Sequence, residues 1–222
     1  MKTMKPVPHA FLLSALAAAL TCATAGAAAA QPGYYIGLHG GTNNLDSWPA
    51  TVTLGPGVSL PGSLSLDSGT HFGLMAGRQT ENARFEIEAQ SGKFDITGIQ
   101  LGLLQQNVSA GGRYKAFTFN AYRTQALSER LTGYAGLGIG WGSASLPQLG
   151  FASGCNCFPA ASETGLAYLG RVGLEYRFGD QHHAFAQYTQ LRLPRMDSGG
   201  TPAAQYARKG VGIAGVGYRF TF

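Results

Sequence analysis

From Arg84 to Gln90 the chain alternates without a break. Phe85, Ile87 and Ala89 fall on one side and Arg84, Glu86, Glu88 and Gln90 on the other. Strand side chains alternate between faces, whereas a helix would scatter these charges around its circumference, so the segment predicts a strand with one apolar face. Leu166 to Phe178 repeats the pattern: Leu166, Tyr168, Val172, Leu174, Tyr176 and Phe178 oppose Arg171, Glu175 and Arg177. Leu131 to Trp141 sets Leu131, Ala135, Leu137, Ile139 and Trp141 against Thr132, Tyr134 and glycines. Eight such segments are predicted, at 33–41, 70–78, 83–94, 112–124, 131–143, 165–178, 182–193 and 208–222. Long connections (42–69, 95–111, 144–164, 194–207) alternate with the short turns Gln79–Asn82, Gln125–Arg130 and Gly179–Gln181. Long loops at one end of an antiparallel meander and tight turns at the other are the layout of an outer-membrane barrel, and an even count puts both termini at the tight-turn end.

The solvent of the apolar face follows from the charges. A soluble barrel would hold its apolar residues inside. The competing choice is inside-out, with the polar face lining a narrow lumen. By parity the lumen receives Arg84, Glu86, Glu88, Arg171, Glu175, Arg177 and Arg219, four positive against three negative, a set able to pair off. Glycines in the strands, among them Gly133, Gly136, Gly138, Gly140, Gly170, Gly173, Gly212, Gly215 and Gly217, leave room for long neighbours in a narrow interior. Outward, Phe72, Phe85, Phe117, Phe119, Tyr176, Phe178, Phe220 and Phe222 are expected to form a lipid-facing band with its aromatic girdle. Lys115 and Arg123 share that outward parity near strand ends, where a long side chain snorkels to water. Two strands fit badly. Neither parity of Ala184–Leu191 is cleanly apolar, and the last strand loses phase around Val211 and Ile213, as a bulge would explain.

The first 30 residues are of another kind. Lys2 and Lys5 precede an apolar run from Ala10 to Leu20 and a small-residue stretch, the order of a cleaved secretory signal. Ala28-Ala29-Ala30 is the preferred site, and Ala23-Thr24-Ala25 would also serve. Thr21 before Cys22 does not suit a lipoprotein signal. Residues 31–222 then form one barrel domain. The whole chain has 222 residues and a net charge of +5; without Lys2 and Lys5, 14 basic residues face 11 acidic ones, a balance of +3. With no Lys/Arg-rich run, nucleic acid is not an expected partner. No stretch beyond the signal is long and apolar enough for a membrane helix.

Several stretches resemble a known family. Thr118-Phe119-Asn120-Ala121-Tyr122 with Leu131 to Gly140 is similar to the "N-x-Y … PY-x-G-x-G-x-G" core of small OmpA-like and opacity-type outer-membrane barrels. So are Arg84-Phe85-Glu86 and Val172 to Phe178. Gly217-Tyr218-Arg219-Phe220-Thr221-Phe222 looks like the family's terminal-strand signal, with Gly217, Phe220 and Phe222 on its pattern positions. Gly215 stands where the family usually has a polar residue and Gly133 where it often has proline. The resemblance, running from Tyr34 to Phe222, implies an all-β, eight-stranded antiparallel up-and-down transmembrane β-barrel in the outer membrane of a Gram-negative-type cell. It also implies outer-membrane lipids and lipopolysaccharide as surroundings, and recognition of the C-terminal strand by the barrel-assembly machinery. The family contains adhesins, envelope stabilisers and narrow channels, so the fold does not fix the activity. With the sequence ending at Phe222, no peptidoglycan-binding domain and no wall anchoring are expected.

Candidate chemistry is sparse. His39 and His71 share the inward parity near the long-loop ends of adjacent strands, where they are expected to face each other at the outer mouth, with Asp67 and Ser68 just upstream. A nucleophile, a base and an orienting carboxylate are the parts of an acyl-transfer or lipase-like site acting on lipid, but the spacing is no known motif and the plainer reading is polar filling. Nor does spacing tie an acidic or Cys ligand to these histidines as a metal would require. Cys155 and Cys157 are expected to pair as a loop disulfide in an oxidising compartment. His182 and His183 follow a tight turn and are most simply solvated. The segment 42–70, with Asp46, Trp48 and three prolines, is expected to be a variable surface loop, or an adhesive one through exposed apolar side chains. The expected protein is non-enzymatic, with no cofactor or metal, and presents four loops for adhesion, interaction or envelope integrity to a ligand the sequence does not name. A narrow porin-like channel and an outer-leaflet lipid-modifying enzyme are the alternatives. Eight strands leave an interior that side chains fill, against a wide pore.

Overall fold

The computed structural model describes residues 32–222; the expected signal segment and its cleavage sites lie outside them. Among the described residues, twelve strands make one antiparallel sheet: β1 (Gly33–Asn44), β2 (Trp48–Gly55), β3 (Val58–Asp67), β4 (Gly69–Gln79), β5 (Ala83–Leu101), β6 (Leu104–Ala126), β7 (Leu131–Leu146), β8 (Ala161–Arg177), β9 (His182–Arg192), β10 (Met196–Asp197), β11 (Ala203–Tyr206) and β12 (Gly210–Thr221). Eight of them close a ring in the order β1-β4-β5-β6-β7-β8-β9-β12, with β12 pairing back onto β1 from Tyr35↔Thr221 to Asn44↔Gly212. Closure leaves the ring no free edge, the condition a sheet must meet in hydrocarbon. The tight turns and both chain ends of the ring lie at one end, where Phe222 N–H donates to Tyr34 O and Tyr34 N–H to Phe222 O.

The outer surface carries the expected apolar faces. Phe72, Phe85, Phe117, Phe119, Leu137, Ile139, Trp141, Leu174, Tyr176, Phe178 and Phe222 are all exposed, and Phe220 is half-buried between its neighbours. A continuous exposed band of this size suits lipid, not water.

At the other end the chain departs from the expected loops. Segment 42–69 is largely the β2–β3 hairpin, and 95–111 continues β5 and β6 to a tip at Gly102, whose φ of 57° makes the turn. β3 pairs onto the upper half of β5, β2 onto β3, β11 onto β2 and β10 onto β11. The result is a distal lobe standing on the ring. Its interior is apolar: Trp48, Val52, Leu64, Phe94, Ile96, Phe158, Leu169, Leu191, Val211 and Ile213 are buried in one cluster.

Several ring strands, β5, β8 and β12 among them, therefore reverse polarity along their length, whereas β1 and β4 keep polar or glycine positions inward to the top (His39, Gly41, Asn43; Gly69, His71). On β5 the inward residues change from Glu86, Glu88 and Gln90 to Phe94 and Ile96, and the outward ones from Phe85, Ile87 and Ala89 to Ser91, Lys93 and Asp95. This explains the two irregular strands without a bulge. β9 pairs continuously with both neighbours, as does β12. Leu191, Val211 and Ile213 point inward like Gln187 and Arg219 because the upper interior is apolar, whereas Phe185 points inward at the charged level, in register with Glu175, and packs with Tyr35 and Met75. The shift that does occur lies on β5, between Ile96 and Gly98.

Inward glycines set how closely the wall packs. A Cβ at Gly140 would overlap Phe117 O and stand 2.8 Å from Thr118 Cα, both main-chain atoms of β6, whereas one at Gly111 meets nothing within 4 Å. Gly140→Val should cost about 1–3 kcal/mol as an overpacking change, seen as a lower urea midpoint in lipid vesicles, with Gly111→Ala as the tolerated control. Equal midpoints would show that the wall relaxes at no cost.

Candidate functional site

The lumen begins with Glu175 of β8. Arg84 Nη2 donates to its Oε2 at 2.8 Å, Arg219 Nη2 donates to its Oε1, and His183 Nδ1 lies 3.2 Å from the same oxygen. Arg84 Nε also donates to Gln79 Oε1 at 2.9 Å, and its guanidinium lies over the Tyr134 ring. A second knot follows around Arg171. Its Nη2 donates to Glu88 Oε1 at 2.8 Å and its Nε to Thr189 Oγ1 at 2.7 Å. Its Nη1 reaches Tyr122 Oη at 2.9 Å and Glu86 Oε1 at 3.4 Å. Tyr35 donates to Glu86, Asn120 donates to both carboxylates, and His39 Nε2 sits 2.7 Å from Glu88 Oε1. All eight ring strands contribute side chains to these knots. Buried ion pairs roughly break even against apolar packing, so the gain lies in fixing which strands meet and in which register.

Six of the seven expected lumen charges are thus gathered and buried: Arg84, Glu86, Glu88, Arg171, Glu175 and Arg219. Arg177 is the exception. It shares their parity but stands at the rim, half-exposed, where its Nη2 donates to Glu129 O at 2.9 Å. The set is therefore three against three. Tyr35, Tyr122, Tyr134, Asn120, Gln187 and Thr189 complete it. Their inward parity was visible in the sequence, but a search for charge alone passes over them.

His39 and His71 do come together, with ring centroids 5.2 Å apart. They lie beneath the distal lobe rather than at an open mouth, because the strands run on above them. His71 Nδ1 meets Tyr114 Oη at 2.9 Å. Asp67 and Ser68 are exposed and bond to each other: Ser68 N–H and Oγ–H donate to Asp67 Oδ1 at 2.7 and 3.2 Å. No hydrogen bond ties them to either histidine among the described residues, so no nucleophile–base pair is assembled. No group of three or more His, Cys, Asp or Glu among the described residues is arranged to hold a metal. Of the two histidines expected in solvent, His182 is exposed and its Nδ1 meets Tyr218 Oη, whereas His183 turns inward beside Glu175 with its side chain only 12% exposed.

Above the charged layers the lobe is tied down by polar side chains of which the sequence singled out only Trp48. Asn43 donates through Nδ2 to Thr70 O and Lys93 O and accepts Gly69 N–H, stitching β1, β4 and β5 together. Trp48 Nε1 donates to Ala207 O at 2.7 Å. Lys209 donates to Ser47 O at 3.0 Å and to Asp46 O at 2.5 Å. Burial pushes the pKa of Lys209 down and Arg192 adds to the fall, with Asp46 opposing. Cys155 and Cys157 are joined, with Cα atoms 5.2 Å apart, and Cys157 is buried next to Phe158 in the lobe cluster. Gly217 and Phe220 lie on β12 and Phe222 directly follows it. A Cβ at Gly217 would overlap the Phe185 ring and Leu38 O, while Phe220 and Phe222 stack at 6.4 Å on the outer face.

This architecture is similar to solved barrels. OprG of Pseudomonas aeruginosa shares 17% identity over 87% of this chain and 98% of its own, with a TM-score of 0.60. The neisserial surface protein NspA shares 14% over 87% and 100%, with a TM-score of 0.52. AlkL, solved in lipid bilayers, shares 15% over 91% and 94%, with a TM-score of 0.51. At these identities the likeness is one of fold. No curated protein sequence matches the chain. The family model for the outer membrane protein beta-barrel domain matches residues 13–220; the chain belongs to that family and is an outer-membrane β-barrel.

Proposed function

We propose that this is a closed, non-enzymatic outer-membrane barrel whose work is done by the distal lobe at the cell surface, in adhesion, interaction or envelope integrity. One observation carries the reading: side chains reach across the interior at two levels. Arg171 spans it to reach Glu86 and Glu88, and above that level Phe94, Ile96, Leu169, Leu191, Val211 and Ile213 are buried in an apolar cluster. An ion leaving water would cross a charged plug and then a dry apolar layer, each a barrier to conduction. The lobe is a folded platform of strands rather than four slack loops, and the exposed Leu103 at the β5–β6 tip and Val58 on β3 are the kind of side chains a partner surface would cover. The ligand is unidentified. Outer-membrane lipids surround the barrel in this reading, and Gly217, Phe220 and Phe222 are the positions the assembly machinery would read.

The narrow channel keeps a specific observation in its favour. Between those levels, Gln90 Nε2 and Oε1, Thr118 Oγ1 and His71 Nε2 are buried without a hydrogen-bond partner among the described residues, a polar level of the kind a solute path would use. Planar-bilayer recording separates the two readings. The closed barrel should give no reproducible steps, and Arg171→Gln should not create them in the folded fraction. Steps in the wild type that change on neutralising Arg171 or Glu175 would replace the closed reading with the channel. For a lipid-modifying enzyme, lipid profiles of cells expressing wild type and His71→Ala would differ; the separation of Asp67 and Ser68 from both histidines favours identical profiles.

A further inference from the structure

The outer surface where the strands reverse polarity holds three exposed cations with no ion-pair partner among the described residues. Strand registers place three rows across β4 to β8. The lowest is apolar: Leu74, Ala89, Phe117, Trp141 and Leu166. The next runs Phe72, Ser91, Lys115, Ser143 and Thr164, and the third Lys93, Arg113, Ser145 and Ser162. Lys93 and Arg113 are direct cross-strand partners, with Lys115 one row below on the same face, and all three are exposed. Among the described residues none of them is in an ion pair. The nearest outward acids, Asp95 and Asp67, lie one row higher and are each other's cross-strand partners.

Like charges set directly opposite each other on a sheet destabilise it. Snorkelling accounts for a single cation at a strand end, but not for two facing each other with a third beside them. The arrangement asks for an anion. Directly below, Phe72, Leu74, Phe117 and Trp141 line an open groove that runs up to Lys115 and Thr164. The apolar groove gives way to a level where cations and hydroxyls stand side by side, Lys115 with Ser91, Ser143 and Thr164, and Lys93 and Arg113 with Ser145 and Ser162, as acyl chains give way to a phosphorylated sugar. Arginine and lysine are the side chains suited to phosphate, and aromatic girdles mark the depth at which headgroups sit.

We propose that this face binds a phosphorylated glycolipid of the outer leaflet, with its phosphate between Lys93, Arg113 and Lys115 and an acyl chain in the groove beneath. The inference rests on the proposed orientation, lobe outward. Orientation has its own test, cleavage of the lobe by protease added to intact cells, so the two can fail separately.

The binding test uses the full barrel in detergent, with the boiling-sensitive compact band certifying the fold. Native mass spectrometry would follow adducts of bisphosphorylated lipid A, its dephosphorylated counterpart and inorganic phosphate. The wild type should retain the bisphosphorylated lipid at least tenfold better than the dephosphorylated one. The triple variant Lys93→Gln/Arg113→Gln/Lys115→Gln should lose that preference, while Arg123→Gln, outward at the opposite end of β6, should keep it. Millimolar inorganic phosphate should not compete. Equal retention of both lipids by the wild type, an unchanged preference in a folded triple variant, or displacement by inorganic phosphate would each overturn the proposal. The lipid comparison needs no variant, so a misfolded triple mutant leaves it decisive.

Discussion

Replacing Arg171 by methionine should destabilise the barrel by about 3–5 kcal/mol, the cost of removing one partner from a buried charge pair. Arg171 is 3% exposed and donates to Glu88, Glu86, Tyr122 and Thr189. Methionine nearly fills the same volume, so the loss is electrostatic rather than a cavity. Glu86 and Glu88, two positions apart on β5 and facing the same way, would then confront each other with only neutral donors and His39 between them. Urea unfolding in lipid vesicles reads the effect as a lower midpoint, and gels as a weaker compact band without boiling. The sharper result is the rescue. Glu88→Gln in the same chain halves the orphaned charge and should recover part of the loss, so the double variant is more stable than Arg171→Met alone. A single variant within about 0.5 kcal/mol of wild type, the range of an ordinary surface change, or a double variant no better than the single, would mean the pairs contribute nothing to holding the ring together.

The ring was legible because lipid is an unforgiving solvent. A strand in hydrocarbon must place an apolar side chain at every second position, so Phe85-x-Ile87 and Leu137-x-Ile139-x-Trp141 announce both strand and face. Arg84, Glu86, Glu88, Arg171, Glu175 and Arg219 then have only the lumen to occupy. The distal lobe was not legible under the same rule. Above the reversal the chain continues as an ordinary water-facing sheet, with Phe94 and Ile96 inside and Lys93 and Asp95 outside. A reader holding to apolar-outward takes that reversal for the end of the strand. The same inversion makes the top of β9 and the upper part of β12 look out of phase, and an inward Phe185 at the charged level adds to the irregularity of β9.

The candidate site was half-legible for a related reason. Parity assigns a side chain to a face but not to a height, so Arg177 could not be told from Glu175, although one lies at the rim and the other between two guanidiniums and a histidine. Likewise His39 and His71 are adjacent as expected, but nothing in their spacing revealed that a lobe covers them. Which carboxylate meets which guanidinium depends on pairing across the barrel, from residues separated by 83 or 91 positions in sequence. Local pattern carries no information at that range.

The second large effect belongs to the lobe. Trp48→Ala should cost about 3–5 kcal/mol, as for other buried aromatic truncations, yet leave the ring standing. Trp48 is fully buried, its ring centroid 5.8 Å from Tyr206 and 6.3 Å from Phe94, and its Nε1–H is bonded to Ala207 O. It sits on β2, which meets the ring only through β3 and, on its other edge, joins β11. Removing it opens a cavity where those strands converge and orphans a carbonyl, but touches none of the groups bonded to Arg171 or Glu175. Such distant sites, sharing no partners, should give additive losses. The expected outcome is faster cleavage of the lobe by added protease with the boiling-sensitive band retained. The chain has two tryptophans, so Trp141 on the outer face remains as a fluorescence report on ring unfolding, which should be unchanged. Cleavage at the wild-type rate would mean the lobe does not depend on this core, whereas loss of the compact band together with the lobe would mean that lobe and ring unfold as one cooperative unit.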